Sequence, residues 1–390
     1  MSEERSVREE LERRSVLAGR RSWRSVAVAA LVVVFAAAAL RLLHEGLGVT
    51  GLDRPVGWSF EMAGVLFWAG LGLAAAMLPA LPVVARAPDP AALARLARVT
   101  AVAALGCAAL LAVLQLGRPW FVHWLLPLPG SRGLWPFART PGTASAWAVA
   151  ASLVLTAILL ARGRRPGSRP EAPRGRTVEL AAAAIAAAAL LVLASNLAHS
   201  TVPGWHGMLS GLRFVAGALV AGVAAIAVLG ALPGGSAAGV ERLVAMLPNA
   251  ALGFGALAAL ELPVAALIGD AHARFAAASR LSGPCAAGFW AAILAAVVAP
   301  QLLRLGRFRA APRQSLALLV IAATGVWLER VVVLVGGQVR DLLPSTWSGW
   351  SPTGWDVALA AGDVGLFLAL GALLARPRAD GAAATPDGAA

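Results

Sequence analysis

QLGRPWFVHWLLPLPGSRGLWPFARTPGTASAW, residues 115–147, is a Trp-, Pro- and Arg-rich stretch set between two long apolar runs, 96–116 and 144–161. Runs of about 20 apolar residues are the length at which a helix crosses the hydrocarbon core of a bilayer. A polar stretch between two such runs therefore belongs at a membrane surface, where an ordered loop builds a site.

The same pattern extends along the chain. Apolar runs recur at 25–43, 58–85, 178–198, 212–232, 243–268, 285–303, 315–336 and 355–375, which with the first two makes ten. Hydrophobic residues are 59% and charged residues 14% of the chain, and the mean hydropathy is +0.75. That balance belongs to an integral membrane protein and not to a soluble globule. The short alternating segments of a membrane barrel are absent. The fold expected is all-α and polytopic, with frequent Gly and Ala allowing close helix contact.

Residues 1–24 interleave Glu and Arg at helical spacing and read as a polar cytoplasmic segment. No small-residue cleavage pattern follows the first apolar run, so a removed signal peptide is not expected. The transmembrane domain is expected over 25–376, with a Pro/Gly/Arg-rich flexible cytoplasmic loop at 163–176 and a disordered tail at 377–390.

Charge sets the orientation. All 33 basic residues are Arg, and 23 of them fall on the set of alternating loops that includes the N-terminus, against 10 on the other set. The positive-inside rule then puts both termini in the cytoplasm, and the membrane expected is the cell inner (cytoplasmic) membrane. The net charge of +13 is spread over span ends, not gathered into a groove-reading patch, so nucleic acid is not a partner.

The opposite, outer face carries the polar chemistry. It receives all five histidines (His44, His123, His199, His206 and His272) and nine of the 13 tryptophans. An aromatic belt explains single tryptophans but not this one-sidedness. No histidine lies in mid-span and no CxxC or CxxCH accompanies Cys107 and Cys285, so neither a haem nor an iron–sulfur cluster, nor any metal, is expected in this chain.

Several ionisable residues fall inside the apolar runs: Glu61, Glu261, the pair Glu329–Arg330, and Asp363. Charge in hydrocarbon is costly, so such groups pair, face a cavity or relay protons. Glu61 and Glu261, the latter just before Pro263, are candidates for a proton path, while Glu329–Arg330 reads equally well as a structural ion pair. Asn196 and His199 are three residues apart near the end of a span and share a helix face. An amide and an imidazole there suit the two oxygens of a quinone head group, or else they satisfy a helix end.

Seen together, TGLDRPVGW (50–58), LGRPW (116–120), LWPFARTP (134–141), VPGWH (202–206), GPCAAGFW (283–290), PQLL (300–303), ER (329–330) and RDLLPSTWSGWSPTGWD (340–356) form an ordered set. In it the chain resembles the NrfD/polysulfide reductase membrane-subunit family, and most of all the ActC-type quinol-oxidising subunit of alternative complex III. The resemblance runs from about residue 40 to 375. It implies two four-helix bundles flanked by two further helices and a quinol pocket near the outer face. It also implies an extrinsic iron–sulfur (ferredoxin-like) subunit, which passes electrons to a multihaem cytochrome or a molybdopterin enzyme. Gln115, Arg118, Trp120, Asn196 and Trp205 are the expected pocket residues, with His199 and His206 exchanging protons. The chain departs from the ActC pattern at Gln115, where His is usual, and at Asn196, where Asp is usual. An amide hydrogen-bonds a quinone but does not deprotonate a quinol, so His199 would substitute as base with His206 or Glu261 assisting. Two other functions fit parts of the same pattern: a non-catalytic anchor with a degenerate quinone site, and a secondary transporter with buried carboxylates.

Overall fold

The computed structural model describes residues 25–52, 56–125, 129–130, 133–134, 141–163, 173–198, 202, 205, 207, 209–232, 239–339 and 349–375. The N-terminal segment 1–24, most of the 163–176 loop, the tail after 375, His199 and His206 lie outside the described residues.

Among the described residues ten helices are long and apolar enough to cross a membrane. They are α1 (Ser25–Glu45), α2 (Phe60–Ala80), α3 (Pro90–Leu114), α4 (Pro141–Arg162), α5 (Pro173–Ala198), α6 (Ser210–Gly230) and α7 (Val240–Ile268). After a shorter α8 (Ala271–Leu281) come α9 (Ala286–Arg304), α10 (Pro312–Gly336) and α11 (Gly354–Ala375). The only strand pairing among the described residues is a two-residue ladder between Pro129–Gly130 and Gly133–Leu134. This is a multi-pass, all-α membrane protein whose solvent over most of its surface is lipid.

Local signals place the helix ends. Pro90 opens α3 behind Asp89, whose carboxylate accepts from the Ala92 amide at 2.9 Å, an N-cap on an otherwise free donor. At the other end of α3, Gly117 takes φ 66, a left-handed turn that suits glycine after a helix. In α9 the regular turns give way to a π turn at Leu294–Val298 and a tighter stretch at Ala299–Arg304. Pro300 lies there and has no N–H to donate.

The helices sort by burial. α2, α3, α6 and α10 are mostly enclosed, whereas α1, α4, α5, α7, α9 and α11 present most of their surface outward. Yet that outward surface is apolar, with Leu267 83% and Val33 66% exposed. A helix apolar on every side is stable only in a core or in lipid. α2 to α5 form one bundle and α6, α7, α9 and α10 the other, joined where α2 packs on α6. α11 lies against α2 and α3, with α1 behind it: a Cβ on Gly362 would sit 2.6 Å from Phe35. Gly72 likewise lets α2 and α3 close, since a Cβ there would meet Leu105 at 2.7 Å. Such close approach is how membrane helices gain dispersion energy without a hydrophobic driving force.

One helix lies outside the ten apolar runs. Residues 270–282 join the apolar runs 243–268 and 285–303, and 271–281 of them form α8, capped by Asp270 accepting from the Ala273 amide at 2.7 Å. The helix turns Arg280 inward, where the side chain is buried.

Candidate functional site: a buried ionic chain beside an open cavity

The first turn of α6 sets up the site. Ser210 Oγ donates to the Gly207 carbonyl at 2.7 Å and accepts from the Gly207 amide, so the chain entering α6 is tied to its own start. Arg213 stands one turn further in and is 2% exposed. Its Nε lies 2.6 Å from Glu261 Oε2 of α7, an ion pair set off the N–H axis. Its Nη1 donates to Glu329 Oε1 of α10.

Both carboxylates carry a second cation. Glu329 Oε2 accepts from Arg330 Nη1 at 2.7 Å, and Glu261 Oε1 accepts from Arg280 Nη1 at 3.1 Å. Arg330 also donates to the Phe214 carbonyl at 2.7 Å and sits 4.0 Å over the Phe214 ring, where the π face favours a cation. The order Arg280–Glu261–Arg213–Glu329–Arg330 thus runs through four helices, with three formal positive charges against two negative. Burial pushes the Arg280 guanidinium below its ordinary value, with the Arg213 charge adding to the push and Glu261 opposing it.

Glycine makes the room for this chain. A Cβ at Gly207 would lie 2.9 Å from Glu261 Oε1, and one at Gly217 would lie 2.8 Å from Arg330 Nη2. Glu261 and Arg280 close the inner end of an open cavity of about 270 Å³, bordered also by Gly207, Ala265, Ile268 and Asp270. Its walls are mainly aliphatic, and the neighbouring Leu267 and Ile268 are 83% and 71% exposed. A cavity with mainly apolar walls and a buried ion pair in its lining suits an amphiphile with a small polar head.

The residues expected from sequence are distributed as follows. Glu261 is central to the chain. Glu61 is buried on α2 and takes no part in these ion pairs: it accepts from Ser59 Oγ at 2.8 Å and interacts with Asp356 of α11. Trp205 is buried, stacked on Trp58 at 5.1 Å, and donates to the Leu334 carbonyl at 3.0 Å. Gln115 caps the end of α3 with Oε1 buried and without a hydrogen bond. Arg118 is exposed and Trp120 is 62% exposed. Asn196, half-buried, ends α5 close to where Ala194 meets Gly211.

Arg213, Arg280, Gln338 and Asp356 were not singled out from sequence. Gln338 is the hub of the loop before α2: its Oε1 accepts from the amides of Gly57 and Trp58 at 2.9 and 3.0 Å, and its Nε2 donates to the Trp58 carbonyl. A signal for the arginines does exist, because Glu261 and Glu329 in apolar helices demand cations. Which arginines answer is a matter of tertiary structure.

No protein-family model matches the chain, and no curated protein matches it.

Proposed function

We propose that this chain is the integral-membrane subunit of a respiratory quinol-linked electron-transfer complex of the NrfD/polysulfide reductase type, nearest to the ActC-type subunit of alternative complex III. It lies in the cell inner membrane with both termini cytoplasmic. The observation that carries the reading is Glu261, a carboxylate at the charged end of an apolar-walled cavity beside lipid, joined through Arg213 to Glu329. A quinol partitions into the bilayer and enters that cavity from the side, ring against Ala265 and Ile268, hydroxyl toward Glu261. Its oxidation releases two protons and two electrons. Glu261 takes a proton, with His206, the residue before Gly207, and His199 as further acceptors in the 196–209 connection. Gln115, Arg118, Trp120, Asn196 and Trp205 shape that same end of the bundle. The electrons leave to an extrinsic iron–sulfur subunit and from there to a multihaem cytochrome or molybdopterin partner.

A second reading, a non-catalytic anchor, is favoured by one feature: every charged group in the ionic chain already has a partner of opposite sign, as in a structural lock. Turnover of the intact complex separates the two. With Glu261→Gln in an assembled complex, quinol oxidation falls about 100-fold or more, the usual range for loss of a general base. Glu261→Asp, which keeps the acid, retains more. Unchanged turnover in assembled Glu261→Gln complex would leave the anchor standing.

A further inference from the structure

A second set of buried carboxyls lies at the seam of α2 and α11, and it differs from the ionic chain in having no cation. Glu61 is 3% exposed and Asp356 is 0% exposed. None of the ion pairs among the described residues reaches either one. Two adjacent carboxylates shielded from bulk water repel each other, so both cannot be ionised together.

The hydrogen bonds say which atoms are spoken for. Asp356 is the third residue of α11 and completes a capping box with Thr353. Its Oδ2 accepts from the Thr353 amide at 2.6 Å, and its own amide points to Thr353 Oγ1 at 3.3 Å. The same Oδ2 accepts from the Gly51 amide at 2.8 Å. Glu61 Oε2 accepts from Ser59 Oγ at 2.8 Å. What remains is one oxygen on each side: Glu61 Oε1 and Asp356 Oδ1 are buried and have no hydrogen-bond partner among the described residues, and the two carboxyls are close enough to interact with each other.

We infer that Glu61 carries a resident proton on Oε1 and donates it to Asp356 Oδ1. One proton satisfies both orphaned atoms at once. Both carboxyls stand in the first turn of a helix, but Asp356 accepts from two backbone amides and Glu61 from the Ser59 hydroxyl alone, so the negative charge settles on Asp356 and the proton on Glu61. The bond pins a rim onto α2: Asp356 holds Gly51, Trp350 Nε1 donates to the Gly51 carbonyl at 2.8 Å, and Thr353 Oγ1 donates to the Val49 carbonyl at 3.2 Å. Removal of the proton sets two negative charges against each other and loosens that rim from α2. The seam is thus a proton-binding site that links protonation to the packing of the loop before α2. It is independent of any quinol chemistry at Glu261.

Neighbouring titratable groups leave this assignment intact. Arg41 of α1 pairs with Glu45 at 2.7 Å and lies over the Trp355 ring. On α10, Glu329 and Arg330 are engaged with Arg213 and Phe214, and Arg213 of α6 with Glu261 and Glu329. Cys107 of α3 and Asp363 of α11 meet deeper in the seam, where Asp363 faces Gly64.

The test is infrared spectroscopy of the full-length purified protein at neutral pH in H2O and D2O. Wild type is expected to show a protonated-carboxyl C=O band that shifts on deuteration and again when glutamate carboxyls carry ¹³C. Glu61→Gln, whose amide still donates to Asp356, loses that glutamate component, whereas Asp363→Asn keeps it. A wild-type spectrum with no glutamate-dependent band would overturn the assignment, and it needs no variant to fold. So would a band unchanged in Glu61→Gln.

Discussion

Glu261 holds two guanidinium groups from two different helices: Arg213 of α6 at 2.6 Å and Arg280 of α8 at 3.1 Å. One carboxylate therefore fastens α8 to the bundle and closes the inner end of the cavity. Buried ion pairs recover their desolvation cost only while both signs remain. Removing Glu329 alone, as in Glu329→Gln, leaves buried Arg330 without a carboxylate, while Arg213 keeps Glu261, and should cost roughly 3–5 kcal/mol. Thermal unfolding of the detergent-solubilised protein would show this as a lowered midpoint, and adding Arg330→Met, which removes the stranded cation, should return part of the loss. A double variant no better than the single one would mean that the two charges are not coupled.

Gly217 marks where α6 passes Arg330 and Phe254. A methyl there would sit 2.8 Å from Arg330 Nη2 and 3.2 Å from the Phe254 ring. Gly217→Ala should cost about 1–3 kcal/mol by overpacking, despite alanine being the better helix former. Gly253, whose Cβ would meet nothing within 4 Å, serves as the control, and Gly253→Ala should be neutral or stabilising.

Gln338 is the acceptor for two consecutive amides, those of Gly57 and Trp58. Gln338→Leu leaves both unsatisfied in a half-buried place, at about 1–3 kcal/mol for each group that water does not reach. Trp58 lies next to this bond and stacks on Trp205, so the loosened loop is expected to change the tryptophan fluorescence. An unchanged spectrum and midpoint would show that the Gln338 bonds contribute nothing.

Orientation has its own check. Ser351, in the connection before α11, and Arg309, in the short helical turn Gly306–Ala310 between α9 and α10, are both exposed and lie at opposite ends of the bundle. In intact cells an impermeant thiol reagent should label Ser351→Cys and spare Arg309→Cys until the membrane is opened. The reverse pattern would invert the assigned topology.

Much of the architecture was legible in sequence because membrane spans announce themselves by length and apolarity: all ten runs became helices. The expectation of two bundles with two flanking helices also matches the packing. α8 was not legible. Its composition, AHARFAAASRL, is too polar for a span and looks like surface loop, and only the Asp270 cap marks it as a helix. The site was legible by half. Glu61, Glu261 and Glu329–Arg330 stand out as charges within hydrocarbon-length runs. Arg213 hides near a span end, where arginine is ordinary, and Asp356 hides as a helix cap. Their partners are set by which helix faces meet, and no spacing along the chain encodes that.

The most direct test of the central claim is photo-crosslinking with an azido-quinone on the membrane-embedded complex, with the labelled peptides identified by mass. Attachment to residues 262–277, displaced by excess quinol and weakened in Glu261→Gln, is the result expected. Labelling that quinol does not displace, or that never falls on α7 or α8, would contradict a quinol site at the Glu261 cavity.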